Sequence, residues 1–295
     1  MQLKDVLQKT TQFFRDKGFS SPRLDTELLM ARALQWDRMK LYMNYEYALT
    51  EPELTACREL VKRRASGEPV AYILGARDFY NHSFVVSSGV LIPRPETETI
   101  VQSVLDWWRS FEDETVALDI VDLGCGSGCI GLSIAAEVPT AKLVSVDIAE
   151  TPVRTTRLNA ERLAVANRSQ VLQKDVSELE LQDFEPAFKG LASVIVANPP
   201  YIAEDDEQVE ANVRKFEPKE ALFSPDGGLF HIRNWATKAA DLIVVSGLVI
   251  FEIGYEQGQQ VKKVFEETGA FEDVTILKDL AGMDRFVRAI RRGDN

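Results

Sequence analysis

From about residue 117 the chain alternates short apolar runs with helical segments, and that alternation leaves few folds open. The runs are Leu118–Leu123, Leu143–Val146, Val171–Gln173, Val194–Ala197 and Leu248–Ile253. Most are apolar without a polar alternate, as strands are when helices cover both faces of their sheet. Strands joined by helical crossovers run parallel. Two closing candidates, Val274–Leu277 and Arg285–Ile290, have no helix between them and predict an antiparallel edge. The expected architecture is α/β, a mostly parallel sheet with helices on both faces.

The first 75 residues follow another grammar. Leu3, Val6, Leu7, Phe13 and Phe14 recur at helical spacing, and Leu24, Leu28, Leu29 and Leu34 do so again. Thr50-Glu51-Pro52-Glu53 reads as a capping box with an early proline, opening a helix that carries Leu54, Leu60 and Val61. A small helical bundle is expected over 1–75. The alternation from Phe79 to Ile92, broken at Asn81-His82 and Ser87-Ser88-Gly89, predicts a hairpin linker over 76–95. Glu96-Thr97-Glu98 then starts a helix with Ile100, Val101, Val104, Leu105 and Trp108 on one face, and 96–295 forms the larger domain.

Composition narrows the partners. The chain has 295 residues, 45% hydrophobic and 27% charged, with a net charge of −12. Tight binding along a phosphate backbone needs clustered Lys and Arg, so no direct nucleic-acid partner is expected. No apolar run reaches the ~18 residues of a membrane span, and the start MQLKDVLQKTTQFF lacks a signal-peptide core. Three cysteines, Cys57, Cys125 and Cys129, are too few for a disulfide framework. A cytoplasmic monomer is the expectation. With two histidines, His82 and His231, and no CxxC pair, no metal site is expected.

Asn198-Pro199-Pro200-Tyr201 follows the apolar run Ser193–Ala197. Neither proline offers an N–H, so the strand ladder must stop there. The prolines also fix φ, which holds the Asn198 amide and the nearby carbonyls in a stiff geometry. An Asn side chain has one acceptor oxygen and two donors. Such a cradle, with Tyr201 as an aromatic wall, suits a planar –NH₂ group on either a nucleobase or a side-chain amide.

Asp122-Leu123-Gly124-Cys125-Gly126-Ser127-Gly128 lies between a strand and a predicted helix, Cys129–Glu137. Glycines there let the backbone turn tightly and approach a ligand. Asp147, with Ile148 after it, ends the next strand, where an acid commonly accepts from ribose hydroxyls. Asp175 and Val176 follow the third strand, where an adenine amine would be read. A tight turn with no ligand would also use glycines, but it does not explain the acids. The spacing is GxGxG rather than GxGxxG, and Asp122 is poor company for a pyrophosphate. It suits the amino group of a methionine moiety. S-adenosylmethionine is therefore favoured over NAD, with S-adenosylhomocysteine as product.

Together these residues resemble class I, Rossmann-like methyltransferases that modify amino groups. The segment Glu68–Gly75, then Phe79, then Leu91-Ile92-Pro93-Arg94-Pro95-Glu96-Thr97-Glu98 is similar to the HemK/PrmC subgroup. Phe216-Glu217-Pro218, Ala221-Leu222, Asp226-Gly227-Gly228 and Asp284-Arg285 also match, so the resemblance spans nearly the whole chain. It implies methylation of the side-chain nitrogen (N5) of the glutamine in the Gly-Gly-Gln motif of class I peptide-chain release factors. It implies that Asn198 and the Pro199 carbonyl accept from the substrate –NH₂, with Pro200 and Tyr201 completing the catalytic turn and Tyr201 against the amide plane. Arg94 and Glu96 are implied in the cofactor or substrate wall, and the helical domain in gripping the release factor. Cys125 stands where the family often has Thr, and Thr151-Pro152 where an Ala-Leu pair is common.

Three rivals remain. An adenine methyltransferase would use the same Asn198 cradle on DNA or RNA, but the acidic balance opposes it. An NAD-dependent oxidoreductase is disfavoured by the glycine spacing. A silent adapter is disfavoured by the intact Asn-Pro-Pro-Tyr turn.

Overall fold

A computed structural model describes residues 1–111 and 116–293. Two compact units result, one of residues 1–76 with 210–216, the other of residues 77–209 with 217–293 among those described.

The first unit is helical: α1 (Leu3–Asp16), α2 (Pro22–Leu34), α3 (Arg38–Met43), α4 (Glu51–Ala65) and α5 (Val70–Leu74). Leu3, Val6, Phe14, Leu29, Met30, Leu34, Leu41, Leu54 and Ile73 form its core. The capping box is in place, with Glu53 Oε2 accepting from the Thr50 amide at 2.8 Å. Periodicity misleads on α2. Leu24 is 42% exposed, whereas Asp25, Thr26 and Glu27 are buried. The carboxylates turn inward because cations meet them. Arg64 Nε donates to Asp25 at 2.8 Å, and Glu27 accepts from Arg23 Nε at 2.8 Å and Arg38 Nη2 at 2.6 Å.

The hairpin is β1 (Ala76–Phe79) and β2 (His82–Val85), and from Arg77 on it belongs to the second unit. After it come α6 (Glu98–Arg109), β3 (Asp119–Leu123), α7 (Cys129–Glu137), β4 (Lys142–Asp147), α8 (Glu150–Arg162), β5 (Ser169–Gln173) and β6 (Ala192–Ala197). A two-residue strand β7 (Ile202–Ala203) is followed by α9 (Ala211–Phe216), which belongs to the first unit, and by β8 (Phe223–Ser224), which pairs with β7. The chain closes with α10 (Phe230–Leu242), β9 (Ile243–Glu252), α11 (Gly258–Glu267), β10 (Phe271–Lys278) and β11 (Asp284–Arg291).

Seven strands form one sheet in the order β10-β11-β9-β6-β3-β4-β5. The five from β5 to β9 run parallel, and β11 lies antiparallel between β9 and β10. The period of two along each strand divides the core. Ile120, Leu143, Val194, Val196 and Ile250 pack toward α6 and α7. Val121, Val144, Ile195, Val249 and Phe251 pack toward α10 and α11. The expected architecture is therefore observed. The last parallel strand starts earlier than the apolar pattern shows, at Ile243 rather than Leu248.

This topology decides where a ligand can enter. The chain leaves β3 through α7 and α8 toward β5, then returns to lay β6 on the other side of β3. α7 lies on one face and α10, which follows β6, on the other. Where strand order reverses, the loops part and a crevice opens beyond the carboxyl ends of the strands.

The buried pair in the helical unit sets a first prediction. Arg64→Ala strands the Asp25 carboxylate and should cost ~3 kcal/mol, read by chemical denaturation. Adding Asp25→Ala should recover part of that loss.

Candidate active site

A cleft of about 420 Å³ lies at this crevice. The ends of four adjacent strands supply its floor: the loop Gly124–Ser127 after β3, Asp147 and Ile148 at β4, Asp175 and Val176 past β5, and Asn198 past β6. Arg94, Thr97 and Pro200 also line it.

The glycine loop is built for close approach. All three of its glycines have positive φ, and a Cβ on Gly126 would meet nothing within 4 Å. Gly124 is different: a Cβ there would stand 2.6 Å from the Trp235 ring, which packs across the loop from α10. Gly128 lies outside the cleft lining and caps α7 in the left-handed conformation.

Asp147 holds the loop to its strand. Its Oδ2 accepts from the Gly126 amide and its Oδ1 from the Ala149 amide, both at 3.0 Å. Burial nevertheless holds its pKa above the usual carboxylate range. Asp175 is bonded through Oδ1 to the amide and hydroxyl of Ser177, at 2.8 and 2.7 Å, which lowers its pKa. His231, opposite it on α10, is half-buried and its pKa is depressed by that burial.

Asn198 follows the last residue of β6, and the two prolines end the ladder as expected. Among the described residues no protein group bonds its side-chain amide, which is left for the cleft.

Five of the expected site residues do not line the cleft. Asp122 is fully buried beneath the loop, where Oδ2 accepts from the Gly131 amide at 3.0 Å and Oδ1 has no partner. Burial pushes its pKa up to about 7. Pro199 is buried behind the turn, and Glu96 is exposed on the turn Pro95–Thr97. Tyr201 donates its hydroxyl to Glu252 Oε1 at 3.0 Å, and burial raises its pKa. Gly128 is the fifth.

Arg94 is fixed by a residue the sequence reading did not single out as part of the site. Buried Glu217 accepts from Arg94 Nη2 at 2.6 Å and from the Ile92 amide at 3.1 Å. Glu252 was also missed. Its signal was available, since it is an acid ending an apolar strand, as Asp147 is. The Asp226-Gly227-Gly228 segment has a steric reason. A Cβ on Gly228 would collide with the Tyr201 carbonyl oxygen, and Gln257 Nε2 donates to that same carbonyl at 2.9 Å. Among the described residues there is no cluster of His, Cys, Asp or Glu able to hold a metal ion, and no helix long and apolar enough to cross a membrane.

Residues 5–75 match the family described as the PrmC N-terminal domain, and residues 109–247 match the methyltransferase small domain. A release factor glutamine methyltransferase of Rhodopirellula baltica is 35% identical over 283 residues, covering 96% of this chain and 94% of that protein. That of Vibrio cholerae is 35% identical over 284 residues, again 96% and 94%. That of Geobacter sulfurreducens is 36% identical over 286 residues, 97% and 95%.

Two measurements test the geometry. Gly228→Ala should cost ~3 kcal/mol in denaturant unfolding, because positive φ and a backbone collision act together. Asp122 has a folded pKa raised above its unfolded value, so its stabilising contribution is lost as pH rises from ~4 through about 7. Asp122→Asn should therefore raise the melting temperature near neutrality and make little difference near pH ~4.

Proposed function

The chain belongs to the release factor glutamine methyltransferase family, and from that premise we propose that it methylates the side-chain amide nitrogen of a glutamine in the Gly-Gly-Gln motif of class I release factors, with S-adenosylmethionine as donor. The observation that carries the reading is the unbonded Asn198 amide, held at a strand end beside an open glycine loop.

The cleft residues fit the donor. Gly126 leaves room for a ligand to lie on the backbone, and Ser127 Oγ is buried with no partner in the protein. Asp147 and Asp175 keep lone pairs beyond those their amide bonds use, enough to accept from ribose hydroxyls and a base amine. Ile148, 63% exposed, and Val176 offer apolar faces to a planar base. When bound, the donor supplies an electrophilic methyl group on a positively charged sulfur.

The chain's own contribution is positioning. A glutamine nitrogen is a weak nucleophile because its lone pair is delocalised into the carbonyl. The Asn198 oxygen accepts from the –NH₂, orienting the nitrogen for attack. As the C–N bond forms, the carbon–sulfur bond breaks and the nitrogen gives up a proton to water. No strong base is required, since the nitrogen becomes acidic as that bond forms. Positioning alone can supply ~7–11 kcal/mol in favourable cases. Asn198 is neutral, which avoids stabilising the sulfonium before transfer. The helical unit, with Met39, Met43 and Tyr45 exposed, is assigned to holding the release factor.

Asn198→Ala should lower turnover by about 100-fold, equivalent to ~2.7 kcal/mol, while donor binding by calorimetry stays within about twofold. Mass spectrometry should find one added methyl on the release-factor glutamine and none on DNA or RNA. Methylation of nucleic acid instead would overturn the assignment.

A further inference from the structure

Glu252 is fully buried, carries a carboxylate, and has no part in the chemistry described above. It is the last residue of β9, the strand beside β6. The register pairs Ala197 with Phe251, which puts Glu252 level with Asn198. Its two oxygens serve two different segments. Oε1 accepts from the Tyr201 hydroxyl at 3.0 Å, and Oε2 accepts from Thr97 Oγ1 at 2.5 Å. Tyr201 is three residues past Asn198. Thr97 lies on the turn Pro95–Thr97, lines the cleft itself, and is 1% exposed.

We propose that Glu252 is a positioning residue for methyl transfer, clamping the Asn198–Tyr201 turn to the Pro95–Thr97 turn so that the Asn198 amide keeps its place on the cleft. This rests on the reading of Asn198 as the substrate cradle.

The physical need comes from the prolines. Pro199 and Pro200 have no N–H, so no backbone donor can anchor the turn between Asn198 and Tyr201. The anchor has to act through Tyr201. Its carbonyl accepts from Gln257 and its hydroxyl is held by Glu252. A carboxylate accepts from both hydroxyls at once, whereas Gln offers a single acceptor oxygen and must turn its –NH₂ toward the other partner. Burial raises the Glu252 pKa, and the bonds from Thr97 and Tyr201 together with the Arg285 charge oppose that rise. Arg285 on β11 acts on both Glu252 and Tyr201, and Asp279 Oδ2 holds the Arg285 guanidinium at 3.2 Å. That gives a role to the Asp284-Arg285 pair in the second unit: Arg285 is a counter-charge behind the turn.

The test compares Glu252→Gln, Tyr201→Phe and the double variant in the full-length chain, with Asn198→Ala as reference. Donor binding, turnover on release factor and unfolding are all measured. A catalytic turn displaced by a fraction of an ångström should lose about tenfold in kcat, with donor Kd within about twofold. The double variant should be no slower than the worse single one, since both changes act on the same Tyr201–Glu252 contact. Thr97→Val, which leaves the Tyr201 bond intact, serves if Glu252→Gln does not fold. It should also lower kcat at unchanged donor Kd. Unchanged kcat with only a lower melting temperature, or additive losses in the double variant, would overturn the proposal. If Asn198→Ala itself keeps its activity, the failure lies instead with the cradle reading.

Discussion

Parallel strands cannot be joined by tight turns, and the active-site end of this molecule follows from that constraint. Each connection must cross a face of the sheet, so the chain builds outward from β3 to β5 and must come back to place β6. The segments leaving β3 and β6 then go to opposite faces, and nothing fills the space between their first residues. The glycine loop and Asn198 face each other there because of connectivity. They are 70 or more positions apart in the chain, yet Leu123 and Ala197 are paired neighbours in the sheet.

The carboxyl end of the sheet carries acids at or next to its strand ends. Asp147 and Glu252 end β4 and β9, Asp122 is the next-to-last residue of β3, and burial raises the pKa of all three. Buried carboxylates cost stability unless their oxygens are bonded. Each meets that demand differently: Asp147 with two backbone amides, Glu252 with two hydroxyls, Asp122 with one amide and one oxygen left without a partner. The expense is borne at the carboxyl end of a sheet whose buried residues are otherwise mostly apolar. One of these perturbed acids, Asp147, lines the cleft, and the other two lie at the same end of the sheet outside its lining, a grouping that functional sites favour.

Most of the fold was legible because its signals are local. The helix Cys129–Glu137 follows a glycine run, the strand to Ala197 stops at prolines, and Thr50 with Glu53 opens α4. Cleft residues at strand ends, namely Gly124, Gly126, Asp147, Asp175 and Asn198, were found by the same logic. Misreadings came where a distant partner decides. Asp25 and Glu27 turn inward on α2 because Arg64 and Arg38 lie elsewhere in the chain. Tyr201 looked like an aromatic wall, yet its hydroxyl is claimed by Glu252, 51 residues on. Glu217 reaches Arg94 across 123 positions.

The sequence by itself determined the parallel sheet, the place where β6 must end and the residue types at the glycine loop, since apolar runs, prolines and glycines act on their own backbone. Only the tertiary structure decided which acids face the cleft, which lie beneath it and which tie its walls together. Those outcomes depend on what each side chain meets after strands far apart in the chain have become neighbours.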